Sequence, residues 1–193
     1  GVSRTIIRRI LLRLSLDKVV ELRPNKGAVI ATPAAEDVRQ IFAARRLLEI
    51  GIIEDTCKHC TTADTQVLKD IVTRENAAIQ SGDRSGAIRL AGEFHVQLTG
   101  VARNKPIQEL LRQLVAQSSL ALALYEAPGH LLCVDDDHIN IVNAVAGGEA
   151  VKCRDLMAHH LEKAEAEMRL DAPQDNNDLK SVFAKVIEAR ATA

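Results

Sequence analysis

Beyond Thr32 the chain contains no stretch that reads as a strand, which restricts most of its length to helix packed on helix. The apolar residues there recur at helical spacing, as in Ile41, Phe42, Leu47, Leu48, Ile50, Ile52 and Ile53. Hydrophobic residues make up 47% of the chain but aromatic residues only 2%, so the expected core is an aliphatic bundle. The spacing predicts helices over about 34–56, 62–80, 85–101, 106–124, 134–146 and 148–170, separated at Gly82, Pro128-Gly129 and Gly147-Gly148. Pro33 suits a first helical turn and Glu36-Asp37 suit a helix N-terminus, which puts a domain boundary near residue 33. Residues 171–193 form a polar tail whose second half, 178–191, has the pattern of one last helix.

The first 32 residues differ from the rest. Ile6, Ile7, Ile10, Leu11 and Leu14 share one side of a helix, while Arg4, Thr5, Arg8, Arg9 and Arg13 share the other. Ser3 is placed to cap that helix, and two short apolar runs flank the turn Pro24-Asn25-Lys26-Gly27. Residues 1–26 hold seven Lys or Arg against Asp17 and Glu21, whereas the remainder holds 18 basic and 24 acidic residues. The net charge of −1 therefore conceals a basic end suited to a polyanion and an acidic body that is not.

A basic helix followed by a hairpin is the second half of a winged helix-turn-helix. Gly1-Val2-Ser3-Arg4-Thr5, the helix and the wing together resemble the GntR family of bacterial transcription regulators. The family usually has Pro-Val and Glu where this chain has Ile6-Ile7 and Arg9, so the operator it reads is expected to differ. The two earlier helices of a winged domain do not precede Gly1, so the chain reads as a fragment, and Leu12 as a contact for those helices.

The body resembles the ligand-sensing FCD domain of the FadR-type branch of that family. The match lies in Ile41-Phe42-Ala43-Ala44-Arg45-Arg46-Leu47-Leu48-Glu49, in Glu93-Phe94-His95-Val96-Gln97-Leu98 with Asn104, and from His138 through His160-Leu161. The expected fold is thus mostly α: a partial winged helix-turn-helix over 1–32, an antiparallel all-helical bundle over 33–170, then the tail.

His95, His138 and His160 lie on three different predicted helices, each on or beside an apolar face, and so point inward. They match the three metal-binding His of the family, which implies a divalent site for Zn²⁺ or Ni²⁺ with positions left open. The family's usual Asp, one turn before the first His, is Ala91 here, and Glu93 lies about 200° around the helix from that face. Two readings follow: a His₃ metal site, or an anion bound directly by the imidazoles. His159 points elsewhere and reads as a surface residue.

Arg45 occupies the place where the resemblance puts an effector-binding Arg, and it also stands four residues before Glu49, the spacing of an intrahelical ion pair. Asn104 reads as a helix cap.

The resemblance implies a one-component regulator that binds double-stranded operator DNA as a homodimer and a small carboxylate effector. Ser3, Arg4, Thr5, Arg8, Arg9 and Lys26 are the expected DNA contacts. The alternatives are a metal-dependent enzyme using the same His, or a small-molecule-binding dimerisation module. The first needs a general base, and no Asp or Glu reads as placed beside the His, since Asp135, Asp136 and Asp137 fit a helix start. The second leaves the basic helix unexplained.

Cys57 and Cys60 form a lone C-x-x-C without the second pair of a zinc ribbon, and with Cys133 and Cys153 they suit a reducing cytoplasm. No apolar run is long enough to span a membrane.

Overall fold

The computed structural model describes residues 3–24, 27–125 and 137–170. The expected tail helix, Lys26, Asp135 and Asp136 lie outside them.

Helix α1 (Arg4–Leu16) begins where the Ser3 hydroxyl accepts from the Ile6 amide, as an N-cap does. Lys18, at φ +58°, turns the chain back into β1 (Val20–Arg23), which pairs antiparallel with β2 (Gly27–Ile30) in the register Val20↔Ile30 to Arg23↔Gly27. Gly27 closes the turn at φ +81°, a conformation in which a Cβ would be strained. This is the expected hairpin.

The remaining described elements are helical: α2 (Ala35–Gly51), α3 (Ile53–His59), α4 (Thr62–Gln80), α5 (Arg84–Val101), α6 (Lys105–Tyr125), α7 (Asp137–Ala146) and α8 (Ala150–Ala166). Their starts follow local chemistry. Asp37 accepts from the Ala34 amide ahead of α2, Thr61 and Asp64 satisfy each other's amides at α4, Asp83 accepts from Gly86 at α5, and Asn104 accepts from Ile107 at α6.

One boundary corrects the sequence expectation. The single helix over 34–56 is two, interrupted at Ile52, whose backbone (φ −91°, ψ −7°) departs from regular α values directly after Gly51. The redirection buries Ile52 and Ile53 together, which one straight helix would place about 100° apart. Glycine makes the interruption cheap.

Helix α5 runs through the centre, packed against α4, α6 and α3. One core cluster joins α3, α4, α5, α7 and α8 through Ile53, Leu68, Phe94, Ile141, Met157 and Leu161. A second joins α2, α6 and α8 through Val38, Phe42, Tyr125, Ala164 and Met168. Burying each large side chain of these clusters contributes about 1.5–3 kcal/mol. The packing brings one face each of α5, α7 and α8 to a common point, where polar side chains replace the apolar filling.

Candidate metal centre

That point is occupied by His95 from α5, His138 from α7 and His160 from α8, each no more than 4% exposed. Nε2 of His160 lies 3.2 Å from Nε2 of His95 and 3.1 Å from Nε2 of His138. The opposite ring nitrogens face acids. Nδ1 of His95 is 2.6 Å from Glu49 Oε2 on α2, Nδ1 of His138 is 2.7 Å from Glu75 Oε2 on α4, and Nδ1 of His160 is 3.5 Å from Asp137 Oδ2. The Phe94 ring packs against His138 with centroids 4.2 Å apart.

Burial acts on every group here. It would raise the Glu49 carboxyl, but the Arg45 guanidinium and His95 outweigh it and hold Glu49 down to about 2. Burial also drives His95 down to about 3 against the attraction of Glu49, and holds His138 well below the usual imidazole range. Glu75, with no Arg or Lys beside it, is pushed up to about 7. Asp137 is held low by His160 and, further off, by Lys163.

These states fix the chemistry of the cluster. Glu49, held low, only accepts, so a neutral His95 beside it carries its proton on Nδ1 and leaves Nε2 bare toward the cluster. Nε2 of His160 sits 3.1–3.2 Å from each of the other two Nε2 atoms, where ring nitrogens without protons repel unless a positive charge lies among them, and a single proton can serve only one of these two contacts. Nitrogen ligands of one first-row divalent ion are spaced about 3.0–3.4 Å, given metal–nitrogen bonds of about 2.0–2.1 Å. The donor set, its spacing and the acids at the outer nitrogens of His95 and His138 fit a divalent ion. The cluster could hold a metal ion.

Arg45 is buried beside this centre. Its Nε donates to Glu49 Oε1 at 2.7 Å and its Nη1 to Ser118 Oγ at 3.0 Å, while Nη2 is buried with no hydrogen-bond partner. Of the two sequence readings of Arg45, the i,i+4 pair with Glu49 forms, in the interior and not on the surface. Glu49 bridges, giving one oxygen to Arg45 and the other to His95.

His159 is exposed, and Glu93 pairs with Arg89 and Arg74 away from the histidines. Ser3, Arg4, Thr5, Arg8 and Arg9 are all exposed along α1. Its apolar side is exposed as well, with Ile6, Ile7 and Ile10 each about half accessible. Cys57, Cys60 and Cys153 are free thiols.

The sequence reading found no acid beside the histidines, and this is corrected. Glu49, Glu75 and Asp137 are all adjacent, but on the Nδ1 side, where they orient the rings and do not face the open Nε2 side as a general base would. Glu75 carried a signal that was missed: it continues the buried stripe Leu68, Ile71, Val72 of α4, where a lone acid needs a buried partner. Ser118 carried none.

Comparison with known proteins agrees with this architecture. The FCD domain model matches residues 40–163. The chain is 28% identical over 187 residues to the Uxu operon regulator of Haemophilus influenzae, covering 87% of this chain and 69% of that one. It is 26% identical over 188 residues to the HTH-type transcriptional regulator LutR of Bacillus subtilis, covering 85% and 84% respectively. Among solved structures, Escherichia coli McbR/YncC superposes with a TM-score of 0.73 at 18% identity, over 86% of this chain and 80% of that one. A GntR transcriptional regulator from Rhodococcus sp. RHA1 gives 0.71 at 23% identity, over 86% and 79%. With the FCD match spanning most of the helical body and regulators on both sides of the comparison, this chain belongs to the FCD-domain family and is a GntR-type transcription regulator, not an enzyme.

Proposed function

We propose that the protein is a ligand-responsive cytoplasmic regulator that binds double-stranded operator DNA as a homodimer and senses a small carboxylate at a divalent ion, Zn²⁺ or Ni²⁺. The observation that carries this reading is the convergence of the three Nε2 atoms, together with a buried Arg45, joined to His95 through Glu49, whose Nη2 has no hydrogen-bond partner. His95, His138 and His160 would hold the ion, which when bound supplies Lewis-acidic positions that a carboxylate oxygen can fill. Arg45 would take the effector through its free Nη2, while Glu49 and Ser118 hold the guanidinium plane in place. Charge favours an anion: Arg45, Lys163 and a divalent ion outweigh Glu49, Glu75 and Asp137 by one unit.

Exposure supports the DNA-binding part of this reading. Arg4, Arg8 and Arg9 have no ion-pair partner among the described residues and lie on the polar side of α1, with Thr5 beside them and Ser3 at the helix start. Lys26, which lies in sequence between the two strands, adds one more basic residue to this part of the chain. No helix among the described residues is long and apolar enough to cross a membrane.

The test is thermal unfolding of metal-loaded and metal-free protein with acetate, lactate, malonate, succinate and citrate. At least one should raise the melting temperature of the loaded protein, and the gain should vanish without metal and shrink in Arg45→Met. Equal stabilisation of the metal-free protein would contradict a metal-anchored site.

A further inference from the structure

We propose that the groove between α5 and α6 is the docking site of this chain's own C-terminal segment, with residues 178–191 laid along it as a helix. The groove is about 920 Å³ in volume and mostly apolar, with Ile88 and Val96 on one wall and Val115, Ala116, Leu120 and Ala123 on the other. Beneath it Val96, Leu111 and Val115 form a small core cluster separate from the two main ones, of the kind that lies under a covering segment.

Three observations select the occupant. The first is where the described chain stops. The Arg169 amide donates to the Tyr125 carbonyl, Leu170 packs on the core cluster that contains Ile88, and Arg84 donates to the Leu122 and Ala123 carbonyls. Residue 170 therefore lies at the Arg84–Ala123 end of the groove. The second is length. From Arg84 to Gln97 the groove follows α5 for about 20 Å, the length of a helix over 178–191. Residues 171–177 can span up to about 23 Å and so reach its entrance.

The third is pattern and charge. Leu179, Val182, Phe183, Val186 and Ile187 share one side of such a helix, with Lys180, Ser181, Lys185 and Glu188 on the other. The stretch that leads in, 171–178, holds Asp171, Asp175 and Asp178 and no Lys or Arg, while the groove's rim carries Arg84, Arg89 and Arg112 against Glu93. The other groove near this end, between the hairpin, α2 and α6, is rimmed by Glu21 and Asp37 with Lys18 and offers those acids no net attraction. A docked tail closes this face of α5 and α6 to a second copy of the chain.

Photo-crosslinking of the full chain tests this. A p-benzoylphenylalanine placed at Ala123, which is exposed, or at Ala116 should join to residues within 178–191 at the mass of a single chain, Ala123 nearer the start of that segment and Ala116 further along it. Phe183→Asp/Ile187→Asp should abolish both products. Without any probe, amide exchange over 179–190 should be on the order of 10-fold slower in the wild type than in that double variant. Should the Ala116 replacement fail to fold, the Ala123 probe and the exchange measurement carry the test. Products at the mass of two chains, which would put a second copy in the groove, products outside 178–191, or equal exchange in the two proteins would each overturn the proposal.

Discussion

The Tyr125 hydroxyl donates to the Pro33 carbonyl at 2.6 Å, tying the end of α6 to the segment that joins the hairpin to the helical body. The Tyr125 carbonyl in turn accepts from the Arg169 amide beyond α8. Seven residues earlier on the same helix, Ser118 receives the Arg45 guanidinium. One rigid helix therefore touches the polar centre at one point and the linker at another. Tyr125→Phe removes the linker bond without leaving a void, and should cost about 0.5–1.5 kcal/mol in chemical denaturation while metal content stays unchanged. A loss of metal would mean that Tyr125 supports the centre and not only the linker.

Arg45 and Glu49 are both buried, so removing one leaves the other's charge stranded. Arg45→Met should destabilise the protein by about 3–5 kcal/mol, and the double variant Arg45→Met/Glu49→Leu should recover part of that loss. Equilibrium urea unfolding of the four proteins in this cycle measures it. Additive losses would show that the pair is not coupled.

Asp64 caps α4, and its hydrogen bonds from Thr61 hold its carboxyl below the ordinary value of 3.8. The unfolded chain takes up that proton more readily, so the cap's contribution is complete above the unfolded value and is lost as pH falls through the lower folded one. Thr61→Ala should cost about 1 kcal/mol at neutral pH. Asp64→Asn should lose stability less steeply than wild type below about pH 4, as unfolding across pH 2–6 would record.

Arg8 and Arg9 lie exposed on α1. If each meets a phosphate, alanine at either should weaken binding to specific and random duplexes alike and reduce the slope of log K against log salt by about 1. Fluorescence anisotropy at several salt concentrations checks it. An unchanged slope would remove that residue from the DNA surface.

Helix content, the hairpin and the inward faces of the three histidines were legible because each rests on local periodicity or capping. At Gly51 only a gap in the apolar stripe was legible, and the helix was expected to continue through it, since Ile50, Ile52 and Ile53 carry on the apolar run. Partners distant in the chain were harder still. Glu75 meets His138 across 63 residues and Arg45 meets Ser118 across 73, and no periodicity within one helix reports such pairs. The resemblance directed attention to Ala91 as a lost acid. The fold instead puts Glu49 and Glu75 within hydrogen-bond distance of the outer nitrogens of His95 and His138, with Asp137 3.5 Å from that of His160.

The central claim is that the three-histidine cluster holds a divalent ion, and elemental analysis of gently purified wild type beside the His95→Ala/His138→Ala/His160→Ala variant tests it most directly. The account predicts about one Zn²⁺ or Ni²⁺ per wild-type chain and none in the variant. Metal absent from the wild type even after incubation with both ions, or equal metal in both proteins, would contradict it.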